Sequence, residues 1–286
     1  MNSLALALVF VAAVIHAIWN LLAKKVASGS LFVWLFNTLS SSVLVPVAIV
    51  WAIVQQAEVD RIAVGFIVGT ALLHLIYFLL LQRGYRAGDL SLGYPIARGI
   101  GPALATLGAI VVLGERPTSF ALAGLLLIVT GMVVLTWQRR SPDAAYPVGG
   151  ICYGILTGVA ISVYSVWDKI AVARMEVSPI MLESFTGLGI SLALMPAAIR
   201  RWDEVKDLWR GHKIEVIGVA VFAPLSYILI LTAMSFTPLS YVAPCREISI
   251  LFAAVLGPRL LGEAHEGRRV AAACLMVAGV ISLAVG

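Results

Sequence analysis

Along this chain the apolar residues come in runs of about 20, each closed by a short polar break. Coiled as a helix, a run of that length crosses the hydrocarbon of a bilayer. An open strand edge would leave its N–H and C=O groups without partners there. The pattern predicts ten helical spans, near residues 4–23, 31–54, 62–82, 90–113, 119–137, 148–171, 179–199, 213–235, 239–261 and 268–285. The longest polar breaks, 138–147 and 200–213, read as loops, and neither has room for a soluble domain. The first residues carry no basic stretch and run on to Lys24 and Lys25 without a small-residue cleavage site. They are expected to stay as a first span rather than leave as a signal peptide.

Composition agrees. Of 286 residues 61% are hydrophobic and 12% charged, with mean hydropathy +1.00. A soluble chain carries charge at about a quarter of its positions, so the fold class is an all-α polytopic membrane protein. Cys152, Cys245 and Cys274 are odd in number and lie scattered in apolar segments, which indicates neither a disulfide framework nor a metal site. No cofactor is expected. The net charge of +5 is explained by basic loops on one side of a membrane. Nucleic-acid binding would need a basic patch on a soluble module, and none is visible.

The chain also repeats itself. Residues 90–99, LSLGYPIARG, resemble 239–248, LSYVAPCREI, with a one-residue gap that aligns Arg98 with Arg246. Gly114-Glu115 matches Gly262-Glu263, and Gly131 matches Gly279. Upstream, Trp19-Asn20 aligns with Trp167-Asp168, and His16 with Tyr164. The offset holds at 148 or 149 throughout, a register that chance matches would not keep. Residues 1–140 and 148–286 are read as two copies of a five-helix unit, joined by a linker at 141–147. Because five is odd, the second copy enters the membrane in the opposite sense. Such inverted repeats build transporters that open alternately to either face.

Charge orients the copies. The side with both termini carries Arg61, Arg116, Lys169 and Arg174, whereas fourteen lysines and arginines fall on the other. The positive-inside rule assigns that richer side to the cytoplasm and both termini to the periplasm.

Arg98 and Arg246 are left over from this count. Each lies seven or eight residues into its span, about 10–12 Å deep at 1.5 Å per residue. Arginine at that depth is costly and usually faces a bundle interior or a wet cavity. Snorkelling, or pairing with Glu247, is the competing structural reading. Pro95 and Pro244 sit just before the two arginines, where a missing N–H frees carbonyls and permits a kink in both copies.

Aromatic and polar groups share helical faces nearby. His16, Trp19 and Asn20 are spaced i, i+3, i+4, as are Tyr164, Trp167 and Asp168, and again His74, Tyr77 and Phe78. Tyr227 aligns with Phe78, and Ser91, Tyr94 and Arg98 lie along one side of the fourth span. Converging, these residues make a pocket with aromatic walls and a few polar anchors. Trp19 and Trp167 also suit an interfacial belt, and Lys169 is a candidate to neutralise Asp168. His16, His74, Asp168, Glu183 and Glu247 are candidates for proton coupling, without a spacing specific to it. Glu115 and Glu263 follow glycine at helix ends and suit loop structure.

Two five-helix repeats, Gly-Glu closing the fourth and ninth helices, and small-residue-rich fifth and tenth helices resemble the EamA family of the drug/metabolite transporter superfamily. Within it the chain looks most similar to YddG-like exporters of amino acids and metabolites. The resemblance implies a secondary exporter of the bacterial inner membrane, with helices 1, 3, 4, 6, 8 and 9 around a substrate cavity. Its partners would be the lipid bilayer and a small-molecule cargo, aromatic amino acids or related metabolites, and a monomer would suffice because one chain holds both repeats. Pro-Cys-Arg in the second copy against Pro-Ile-Ala-Arg in the first leaves the two arginines free to point differently. A passive channel is the alternative. An intramembrane enzyme lacks support, because neither a His-Glu-x-x-His nor a Gly-x-Ser-Gly signature is present.

Overall fold

The computed structural model describes residues 2–26, 29–57, 60–87, 90–136, 148–252 and 266–286, and among these every regular element is a helix. In order they are α1 (Ser3–Lys24), α2 (Gly29–Val54), α3 (Arg61–Ala87), α4 (Leu90–Leu113), α5 (Ser119–Thr136), α6 (Val148–Ala173), α7 (Pro179–Arg200), α8 (Trp202–Gly211), α9 (Lys213–Phe236), α10 (Leu239–Arg246) and α11 (Glu266–Val285). Six of them, α1, α2, α3, α6, α7 and α9, are long and apolar enough to span a bilayer, while α4, α5 and α11 contain shorter apolar stretches. The span expected at 239–261 is interrupted: α10 ends at Arg246, Glu247 forms a turn, and helix resumes at 248–252. The remainder of that span and the 141–147 linker lie outside the described residues.

One expectation is corrected. Residues 200–213, read as a loop, contain the amphipathic helix α8. Asp203 and Glu204 sit in its first turn and Arg210 in its last, each complementing the helix dipole. Lys206 pairs with Asp203 at 3.0 Å, and Arg201 pairs with Glu204. Hydrogen bonds from that guanidinium hold the Glu204 carboxyl below its usual range. Val205 and Leu208 are buried, and Trp202 meets Trp34 edge-on at 6.1 Å. Polar composition hid a short helix whose apolar stripe is Trp202, Val205, Leu208 and Trp209.

The two halves interlock. α3 lies along α6, and α1 lies along α9 in the equivalent arrangement; α2 pairs with α7, and α5 with α11. At the last seam the backbones touch. A Cβ on Gly124 would stand 2.7 Å from the Gly279 carbonyl oxygen, and one on Gly279 would stand 2.7 Å from that of Gly124. Gly131 likewise faces the Ala272 carbonyl at 2.9 Å. An offset of 148 converts the Gly124–Gly279 contact into the Ala272–Gly131 contact. The small residues are therefore an intramolecular seam related by exchange of the repeats. On α6, Gly158 packs against Ile100 and the Ala97 carbonyl of α4.

The Gly-Glu motif has a structural role. Gly114 takes φ +73°, a left-handed conformation open to glycine, and the Glu115 N–H returns to the Ala109 carbonyl to cap α4. This turn aims Glu115 at the other repeat, where its carboxylate accepts from the Leu239 and Ser240 N–H groups and the Ser240 hydroxyl at 2.6–2.9 Å. An anion at the start of α10 satisfies orphan donors and complements the dipole. Glu115→Gln, which presents an amide N–H to those donors, is expected to destabilise the protein by about 1–2 kcal/mol. Thermal unfolding in detergent measures this, and an unchanged midpoint would refute the cap's role.

Candidate functional site

The polar interior is built where α3, α6, α9 and α10 meet. Asp168 of α6 is fully buried. Thr70 of α3 donates its hydroxyl to Oδ1 at 2.6 Å, and Tyr227 of α9 donates to Oδ2 at 2.5 Å. His74 lies one turn beyond Thr70 with Nε2 4.0 Å from the same carboxylate, while its Nδ1 contacts the Thr70 carbonyl at 2.9 Å. One short face of α3, Thr70 to Phe78, thus addresses the second repeat. The i, i+4 spacing of Thr70 and His74 makes that possible.

Aromatic rings extend this cluster. Tyr164 lies against His74 at 4.3 Å between ring centroids and against Tyr77 at 5.6 Å; Tyr227 meets His74 edge-on at 5.4 Å; Tyr77 touches Phe78. Arg246 Nη2 donates to the Tyr164 hydroxyl at 3.1 Å. Beyond Arg246 stands Glu247, whose carboxylate lies 3.0 Å from Arg98 Nε of α4 and 3.8 Å from Arg246 Nε. Arg98 Nη2 also donates to Ser249. Both arginines and Glu247 are buried, so snorkelling is excluded for either guanidinium, and pairing with Glu247 holds for both. The two arginines share one carboxylate although their helices belong to different repeats.

Repeat symmetry is broken elsewhere. Asn20, the counterpart of Asp168, donates back to the His16 carbonyl of its own helix. His16 and Trp19 meet edge-on at 4.8 Å, and the buried Trp19 indole nitrogen has no hydrogen-bond partner among the described residues. Trp167 instead donates to the Phe66 carbonyl at 3.1 Å and fills the notch at Gly69, where a Cβ would clash at 2.4 Å. It anchors α6 to α3 rather than standing over the Asp168 cluster. Lys169 does not neutralise its neighbour Asp168: its ammonium donates to the Met234 and Thr237 carbonyls at the end of α9. Tyr94 and Pro95 lie on α4, but their side chains fall outside the described residues. Pro244 is inside α10, three residues before the Glu247 turn.

Sequence reasoning missed Thr70, Ser249 and the central place of Glu247. Thr70 was legible as the residue one turn before His74, but a threonine in a span is usually satisfied by its own helix. A groove of about 700 Å³ between α2, α3 and α7 is lined by Ile49, Ile53, Ile67, Val68, Phe185 and Leu192 among others. Its walls are apolar, and no member of the Asp168 cluster reaches it. Among the described residues no group of three or more His, Cys, Asp or Glu side chains could hold a metal.

A family model of the EamA-like transporter family matches residues 3–137 and again 148–285. The chain belongs to that family. The family model thus matches twice along the chain. A solved crystal structure superposes on 100% of this chain and 98% of its own with TM-score 0.78 at 18% identity, which shows a shared fold. No curated protein sequence matches the chain. As an EamA-like protein it is a multi-pass membrane protein of the drug/metabolite transporter type.

Proposed function

We propose that this EamA-like transporter exports amino acids, with aromatic or other hydrophobic side chains, or closely related zwitterionic metabolites. The carrying observation is a run of contacts that joins a cation to an acid through an aromatic ring. The Arg246 guanidinium donates to the Tyr164 hydroxyl, the Tyr164 ring lies against His74, and His74 faces Asp168. A carboxylate suits the arginine end and an ammonium suits the acidic end, where Glu183 of α7 lies within electrostatic reach of Asp168. Tyr77, Tyr164, Phe78 and His16 offer ring faces and edges to an apolar side chain.

The cycle is alternating access across ten spans in inverted halves, in a bacterial inner membrane with both termini periplasmic. Supporting this are the exchange-related seams of α5 with α11 and of α3–α6 with α1–α9. Glu115 and Lys169 tie helix ends together on the side of the termini. Counterflow of labelled L-phenylalanine in proteoliposomes tests the reading. Saturable exchange with trans-stimulation is expected, and linear, unsaturable flux would turn the reading to a channel. Arg246→Gln is expected to raise the half-saturation concentration about 10- to 100-fold, the loss of one charged hydrogen bond. Unchanged saturation would remove the carboxylate from Arg246.

A further inference from the structure

Arg98 and Arg246 face Glu247, whereas the groups in hydrogen-bond or ion-pair contact with Asp168 are two hydroxyls and an imidazole. Several groups address Asp168. From α3 come His74 and Thr70, and from α9 comes Tyr227. Tyr164 of its own helix lies behind His74, Arg246 of α10 stands beyond Tyr164, and Glu183 comes from α7. On α4, Arg98 is engaged by Glu247 and Ser249. Lys169, next in sequence, is turned away to the end of α9.

Resting on the transport reading, we propose that Asp168, with Thr70, His74 and Tyr227, is a proton-binding site whose loading and release drive transport. As an anion Asp168 accepts from both hydroxyls at once. A proton added to one oxygen makes that oxygen a donor, so the hydroxyl facing it must turn and give up its bond. The Thr70 bond joins the two repeats, whereas the Tyr227 bond lies within the second. Neutralising the carboxylate at either oxygen also weakens the charge-assisted Thr70 bond, so protonation loosens a tie that a rocking motion has to change. His74 is the path to the site: it keeps 12% of its side-chain surface accessible while Asp168 keeps none. A proton taken by Nε2 from water reaches Oδ2, 4.0 Å away, once the ring closes that gap or one water bridges it; Tyr227 gives up its bond there and the imidazole returns to neutrality. No oxidant, metal or second substrate is required.

Two measurements separate this site from the transport reading. In proteoliposomes a one-unit pH gradient coupled one proton to one cargo supports about tenfold accumulation of L-phenylalanine. Wild-type protein is expected to approach that ratio and Asp168→Asn to fall to unity; Thr70→Val, which touches none of the groups assigned to cargo, is expected to lower the ratio while keeping counterflow, which needs no gradient. In detergent, without cargo, the infrared carboxylic C=O band is expected to titrate in the wild type, to vanish in Asp168→Asn, and to shift in Tyr227→Phe. The Tyr227→Phe variant keeps the carboxyl group if Asp168→Asn fails to fold. Gradient-driven accumulation by Asp168→Asn, or a titrating band indifferent to it, would overturn the proposal. Accumulation driven by sodium at fixed pH would also overturn it. A titrating Asp168 band in a protein that shows no counterflow would uphold the site and defeat the amino-acid reading.

Discussion

Glu247→Gln lowers the stability of the folded protein by about 3–5 kcal/mol, the cost of breaking a buried ion pair from one side. The substitution preserves shape and removes only charge, leaving two buried guanidiniums, Arg98 and Arg246, beside a neutral amide. Unfolding followed by tryptophan fluorescence in detergent measures the loss. Glu247→Gln combined with Arg98→Met is expected to recover part of it, since one of the two buried cations that lost their carboxylate is then gone. If the single variant melts with the wild type, Glu247 does not hold the arginines in place, and the charge assignment around the site fails with it.

Gly124→Val acts on a different structure, the α5–α11 seam. Its Cβ would lie 2.7 Å from a backbone oxygen and 2.8 Å from Leu283 Cγ, so neither neighbour can yield by rotating a flexible side-chain end alone. The helices must part along their length, at a cost of about 3 kcal/mol, the upper end of the range for overpacking. Gly65→Val on α3 is the control, because a Cβ there meets nothing within 4 Å. That variant is expected to stay within about 0.5 kcal/mol of the wild type, as exposed substitutions usually do. Equal stability of the two variants would show that the glycine contact is not a close-packed seam.

Much of this arrangement was legible before any coordinates. Hydrophobic run length placed α1, α2, α3, α6, α7 and α9, because a bilayer imposes its thickness on a helix and leaves little freedom in the answer. The short amphipathic α8 escaped, since its ten residues bury only Val205 and Leu208 fully and otherwise read as a polar loop. The register of 148 or 149 exposed the duplication and pointed to Arg98, Arg246, Trp167 and Asp168 as matched positions. It did not reveal that the matches would be used unequally. Trp167 became a wedge against Gly69, and Asn20 bonded its own helix.

By itself, the sequence determined that the chain is helical, lives in a membrane, and consists of two copies of one unit. Those properties follow from composition and period, which every residue in a run helps to specify. Tertiary structure alone decided which polar groups meet. Arg98 and Ser249 are 151 residues apart, Thr70 and Asp168 98 apart, and Glu115 and Ser240 125 apart. A hydrogen bond acts over about 3 Å and carries no signature in the spacing of residues so distant. It exists only once the packed helices have brought its donor and acceptor together.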